Sequence, residues 1–336
     1  MRSVFFPRLV NGPFGDPALY VYLAHRGQAL LFDCGDLHAL TVRELLKIRA
    51  VFISHAHIDH LFGFDYLLRA FLYRDLQLPL FGPPGIIERL QGRLSAYTWN
   101  LTAGYPFCLM VNEWLGDRIQ QATFRAHNGF RLEMGTCVPC REGLLYETPH
   151  SRVRTAALDH GGLPSLAFVL EEPVHVAIFP DALHRYGYRP GPWLTVLKDM
   201  VFQGVVPETE IAVPLVAGGE VCLPLGQLTK EIAATEPGMK ICYVTDAAPS
   251  AGNLAAIEVL SRKAHLLIIE AVFAHRDLER ARQRNHLTAR LAGRMARQAG
   301  VARLQVFHHS PRYQENPGQL AEEADAAFNG REDQED

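Results

Sequence analysis

The chain has 336 residues, 48% of them apolar and 21% charged, with a formal net charge of −3. That balance belongs to a globular protein with a substantial core, not to a disordered or collagen-like one, and it excludes the global basic field of a general nucleic-acid binder. No window reaches the apolar length of a bilayer crossing, and "MRSVFFPRLV" lacks the apolar stretch and cleavage site of a signal peptide, so no membrane and a cytoplasmic location are expected.

Residues 19–33 read as two short strands around the turn "HRGQ", ending in the buried run "ALLFD". "RAVFISH" is a further buried strand, and "HLFGFDYLLRAFLYR" carries apolar residues at helical spacing. A strand "PLFG" then leads into the helix "IIERLQGRLSAY". Residues 94–150 lose sustained periodicity and read as an irregular insertion. Within it Cys137 and Cys140 have a spacing that half a zinc site or a redox pair would use, with His127 or His150 as helpers, although ordinary loop cysteines are the simpler reading.

"TAALDHGGLPSLAFVLEE" contains two strands, and "PDALHRYGYRPGPWLTVLKDM" short helices broken by Pro190 and Pro192. Strands ending near Asp246 and Glu270 follow, then one long arginine-rich helix over 278–299, then a strand running into His308 and His309. Between His275 and Arg303 there are eight arginines against two acids, a solvated face or a phosphate-facing one. Strands and helices interleave, which makes the chain α/β. One domain over 1–330 and an acidic tail at 331–336 are expected.

The chemistry concentrates in "FISHAHIDHLFG". His55, His57, Asp59 and His60 fall within six positions directly after a strand. Imidazoles and a carboxylate are costly to bury without partners, so this density points to metal. Their ligand types suit Zn²⁺ and admit Mn²⁺ or Fe²⁺. Two ions sharing an oxygen ligand would generate a hydroxide nucleophile near neutral pH. His55, Asp246, Glu270 and His308 each stand at or just past the end of an apolar strand, where side chains converge on one rim of a sheet.

"SHAHIDH" resembles the H-x-H-x-D-H signature of the metallo-β-lactamase superfamily, and "LLFDCGD" the element that precedes it there. "ALDHGGLPSLAFVLEE", "ICYVTDAAPS", "HLLIIEAVF", "NHLT" and "HHSPRY" resemble ribonuclease Z motifs in their proper order. The resemblance implies an αββα sandwich of two mixed sheets flanked by helices. It implies that His55, His57 and His160 hold one zinc, that Asp59, His60 and His308 hold a second, and that Asp246 bridges them, His308 being preferred over its neighbour His309. It also implies that Asp59 orients the nucleophile, that His286 protonates the leaving 3′-oxygen with Glu270 orienting it, that the substrate is a tRNA precursor or another phosphodiester, and that the protein is a homodimer. Two alternatives stay open: a hydrolase of small esters, lactones, thioesters or cyclic phosphodiesters on the same fold, and a non-catalytic metal-stabilised nucleic-acid-binding protein.

Overall fold

The computed structural model describes residues 4–24 and 26–331. Residues 1–3, His25 and 332–336 lie outside the described residues, and with them His25 of the predicted turn and all of the predicted acidic tail except Arg331.

The first sheet has eight strands in sequence order: β1 (Phe5–Leu9), β2 (Leu19–Leu23), β3 (Gln28–Phe32), β4 (Ile48–Phe52), β5 (Gln77–Gly82), β6 (Cys108–Trp114), β7 (Arg118–Arg125) and β8 (Leu132–Pro139). Its centre, β3 to β6, is parallel, and its flanks are antiparallel. The parallel strands are near-continuous apolar runs, as strands covered on both faces must be. Next come β9 (Leu144–Thr148), β10 (Ser151–His160) and β11 (Leu163–Glu171), then β12 (His175–Ile178), β13 (Glu210–Pro214), β14 (Glu220–Pro224) and β15 (Ala233–Glu236). The last strands are β16 (Lys240–Val244), β17 (Leu266–Glu270) and β18 (Leu304–Phe307). The second sheet runs β18-β17-β16-β11-β10-β9, with β16, β17 and β18 parallel.

Alternation along the strands sorts side chains into layers. Leu31, Val51 and Leu80 turn to the helices Phe64–Phe71 and Ile86–Ser95, while Leu267 and Ile269 turn to the helices Ala251–Ser261, Ala289–Gln298 and Gln319–Phe328. The opposite faces meet through aromatic rings. Phe32 stacks on Phe52 at 4.9 Å, both lie within 5.8 Å of Phe168, and Tyr243 stacks on Phe307 at 5.3 Å. Each such buried ring contributes roughly 1.5–3 kcal/mol relative to exposure.

The chain divides into two compact units, Met1–Leu145 with Arg154–Val169 and Ile241–Asp336, and Tyr146–Val153 with Leu170–Lys240. The second has its own core around Leu183, Trp193, Leu197, Val213 and Leu228. It holds the paired strands β12 and β15, the hairpin of β13 and β14, and the short helices Pro180–Tyr186 and Trp193–Phe202 on either side of Pro190 and Pro192, as the prolines predict.

Two sequence expectations need correction. Residues 94–150 are not irregular: β6, β7, β8 and β9 occupy much of the segment. The arginine-rich helix is not continuous, because Asn285 adopts the left-handed conformation at φ 59° and separates the helix Leu278–Arg284 from Ala289–Gln298. Among the described residues, no helix is long and apolar enough to cross a membrane.

Candidate metal centre

Strand ends place the polar residues. β4 runs out at Phe52 and delivers Ser54 and His55; β10 ends on His160; β16 delivers Asp246; β17 ends on Glu270; β18 delivers His308. His57 precedes a single helical turn, Ile58–Leu61, which carries Asp59 and His60. That turn sits against the loop after β3, where Cys34 N–H donates to the His60 carbonyl at 2.9 Å and Gly63 N–H to the Cys34 carbonyl at 2.8 Å. The approach is close enough that a Cβ on Gly63 would stand 2.1 Å from the Gly35 carbonyl oxygen.

Seven side chains predicted as ligands come together. Ligand atoms of His55, His57, His160 and Asp246 lie within 4.8 Å of one another, as do those of Asp59, His60 and His308, and those of Asp246, Glu270, His286 and His308. Asp246 stands between the first two sets. Its Oδ2 is 3.0 Å from both His55 Nε2 and His60 Nε2, and its Oδ1 is 2.8 Å from His308 Nδ1. His309 points elsewhere, donating Nδ1–H to the Ala271 carbonyl, whereas His308 faces Asp246.

The imidazoles are held from behind. His60 Nδ1 is 2.9 Å from Asp33 Oδ2, His160 Nδ1 is 2.9 Å from the Asn285 carbonyl oxygen, and His55 Nδ1 is 3.1 Å from Ser54 Oγ. These contacts fix each ring and leave its Nε2 facing the centre, as metal-ligating histidines require. Asp33 is itself tied down by Ser54 N–H, the Ser54 hydroxyl and the Tyr243 hydroxyl. The sequence reading missed Asp33, Ser54, Tyr243 and Asn285 as supports, although each lies inside a motif it quoted: "LLFDCGD", "SHAHIDH", "ICYVTDAAPS" and "NHLT".

The charge arrangement calls for a cation. Burial opposes ionisation of Asp246, yet His308 and His60 beside it hold its carboxyl well below the usual range. Burial likewise opposes ionisation of Asp59, but the His308 contact and the His60 charge bring it down to about 2. In return, Asp33 and Asp246 overcome burial at His60 and push it up to about 10, and Asp246 drives His308 well above the ordinary imidazole range. His55, His57 and His160 are instead pushed down, chiefly by burial, toward the neutral form that donates a lone pair. His55 Nε2, His60 Nε2 and His308 Nδ1 are buried without a hydrogen bond. Orphaned imidazole nitrogens around shared carboxylates fit divalent metal.

His286 and Glu270 form a dyad beside this cluster. His286 Nδ1 is 2.8 Å from Glu270 Oε2, and the other carboxylate oxygen accepts from Ala247 N–H and Leu287 N–H. Burial would raise Glu270, but His286 holds it down at about 2, while Glu270 outweighs burial to raise His286. The dyad borders the ligands, with the His286 and His160 rings 5.0 Å apart.

No group of metal-competent side chains among the described residues includes Cys137 or Cys140. Cys137 is exposed, and Cys140 is buried with its thiol against the Leu144 carbonyl.

Residues 14–76 match the model of the metallo-beta-lactamase superfamily. The chain is 34% identical over 313 residues to a ribonuclease Z of Deinococcus radiodurans, covering 91% of this chain and 90% of that one. It is 30% identical over 308 residues to a ribonuclease Z of Salinibacter ruber, covering 90% and 82%. Among solved structures it resembles the metallo-beta-lactamase fold protein YhfI from Bacillus subtilis, with a TM-score of 0.55 at 16% identity over 96% of this chain and 92% of that one. Two mixed sheets flanked by helices, a cluster of histidines and aspartates at their strand ends, and kinship over nine-tenths of its length lead to one conclusion: the chain belongs to the ribonuclease Z family of the metallo-beta-lactamase superfamily, divalent-metal hydrolases of phosphodiester bonds.

Proposed function

We propose that the protein is an endoribonuclease that cleaves tRNA precursors at their 3′ ends with two zinc ions. His55, His57 and His160 would hold one ion and Asp59, His60 and His308 the other, with the Asp246 carboxylate available to both. The observation that carries this reading is the convergence of these seven side chains with the His286–Glu270 dyad at their edge. Bound divalent cations supply Lewis acidity: they neutralise charge on a phosphodiester and lower the pKa of water at the site.

The chain's own groups do the rest. Asp59, 35% exposed at its side chain and ionised, can accept a proton from an attacking water and orient it. Glu270 fixes the His286 tautomer through Nδ1 and favours the protonated ring, which leaves Nε2–H to donate to a leaving 3′-oxygen. A closed structural metal site would need no such dyad, which disfavours the non-catalytic alternative.

The test is turnover of a 3′-extended tRNA precursor and of bis(p-nitrophenyl) phosphate by protein reconstituted with zinc. Cleavage of both, abolished by a chelator and restored by metal, is the expected result. Turnover of the small diester with an intact precursor would replace this reading with that of a small-molecule hydrolase.

A further inference from the structure

The arginine-rich segment of the sequence is split by the structure into two unlike surfaces. In the helix Ala289–Gln298, Arg290 and Arg294 are half-buried, and this helix packs so tightly against Gln319–Phe328 that a Cβ on Gly293 would lie 2.2 Å from the Ala324 carbonyl oxygen. The Arg290 Nε is buried, and its backbone N–H donates to Glu323. These arginines belong to a helix interface.

The preceding segment is different. Arg276, Arg280, Arg282 and Arg284 are all exposed, and Arg276, Asp277, Glu279, Arg280, Gln283 and Arg284 line a surface hollow of about 450 Å³. The two acids are engaged: Glu279 pairs with Arg282, and Asp277 accepts from the Tyr313 hydroxyl and lies 3.5 Å from Arg312. Arg280 and Arg284, one helical turn apart, have no anionic partner among the described residues. Two uncompensated guanidiniums on one helix face are unfavourable in isolation, and each presents a planar fork suited to phosphate.

Their position gives them a use. Arg284 is followed by Asn285, whose carbonyl holds His160, and then by His286, whose ring meets Glu270. The end of this helix is therefore wired to the metal centre, and Arg284 stands two residues from the proposed acid. We infer that Arg280 and Arg284 form a shelf for the RNA phosphates flanking the scissile bond. This rests on the ribonuclease reading above and specifies how that same site holds its substrate.

The experiment compares the zinc-loaded wild type with an Arg280→Ala/Arg284→Ala double variant and with Arg43→Ala/Arg131→Ala. The latter removes equal charge from two exposed arginines of the first sheet's periphery. The readouts are the slope of log kcat/KM against log salt on a 3′-extended tRNA precursor, and kcat/KM on bis(p-nitrophenyl) phosphate, which has no flanking phosphates. At about 0.7 in slope per single-strand phosphate contact, loss of the shelf should flatten the salt dependence by roughly 1.4. Turnover of the small diester should stay at the wild-type level, and the control variant should keep the wild-type slope. An unchanged slope in the shelf variant, or an equal change in both double variants, overturns the shelf while leaving the ribonuclease reading intact. A parallel loss on both substrates assigns these arginines to folding and likewise overturns it. If the wild type turns over the small diester but not the precursor, the ribonuclease reading fails and the shelf with it. Competition by free phosphate that raises KM for the precursor only in proteins keeping Arg280 and Arg284 would reinforce phosphate recognition there.

Discussion

Asp33→Asn is the sharpest probe of how the protein prepares its metal centre, because the side chain it alters is not itself among the proposed ligands and reaches them through His60. Asp33 is fully buried; Oδ1 accepts from Ser54 N–H at 2.7 Å, while Oδ2 faces the Ser54 hydroxyl at 2.8 Å, the Tyr243 hydroxyl at 2.9 Å and His60 Nδ1 at 2.9 Å. An asparagine has one acceptor oxygen, so its NH₂ must oppose either one donor or three. With the NH₂ toward Ser54 N–H, one charge-assisted bond of about 1.5–3 kcal/mol is lost and the other three fall to neutral strength, about 1 kcal/mol less each. Some of this is recovered by relaxation, which leaves a loss of roughly 3–5 kcal/mol. Removing the carboxylate also frees the His60 ring to rotate and weakens its donation, which should cost 10–100-fold in metal affinity. Tyr243→Phe removes one bond of the four and should lose about 1.5–3 kcal/mol with a smaller effect on metal. Urea unfolding and zinc competition against a chromophoric chelator read both quantities. Wild-type zinc affinity in a folded Asp33→Asn protein would refute the claim that this network aims His60.

Three further outcomes follow from the same geometry. His286→Ala should reduce turnover of the tRNA precursor by about 10²-fold or more while bis(p-nitrophenyl) phosphate, whose nitrophenolate leaves without a proton, loses far less; equal losses would remove the proton-donor role. Glu270 has its pKa lowered from 4.5 to about 2, so its contribution to folding is present above pH 4.5 and is lost as pH falls toward 2. In chelator-treated protein, Glu270→Gln should therefore flatten the acid limb of the stability profile, and an unaltered limb would contradict the dyad. Gly63→Ala places a methyl 2.1 Å from the Gly35 carbonyl oxygen, which backbone cannot yield without shifting the His57–Leu61 turn; a loss of more than about 2 kcal/mol in urea unfolding is expected, where an ordinary surface change costs under about 0.5.

What could be read from the sequence divides along a physical line. His55, His57, Asp59 and His60 were legible because four ligand-type residues in six positions are a local signal that needs no knowledge of the fold. Asp246, Glu270 and His308 were legible as polar ends of apolar strands, and the family resemblance supplied His160 and His286. Asp33 and Tyr243 were not, since their hydrogen bond joins positions 210 residues apart and neither residue type announces a role. Strand β8 was hidden for a different reason: it is exposed along almost all of its length, so no buried face imposes the period of two. The break at Asn285 left one available trace, an asparagine directly before the site histidine, a residue type that tolerates the left-handed cap.

Backbone conformation ties these residues into one design. Asp33, Asp246, Asn285 and His308 all have positive φ, at 57°, 46°, 59° and 58°, and all four lie at the centre or hold it from behind. Asp and Asn visit that region at modest cost, but a histidine there opposes Cβ to its own carbonyl, at about 1–2 kcal/mol. Such strain persists only where the surroundings over-determine it. The comparison that isolates it is His308→Gly against His308→Ala, for both remove the imidazole and its contact with Asp246, and both should lose metal affinity alike. In ordinary backbone glycine is the less stable of the two by about 0.5–1 kcal/mol. Here the order should invert, with glycine more stable by roughly 1 kcal/mol in urea unfolding of chelator-treated protein, because it alone accepts φ 58° freely. If alanine proves the more stable, the chain past β18 is relaxed, and the tight turn at His308 is not what aims its ring at Asp246.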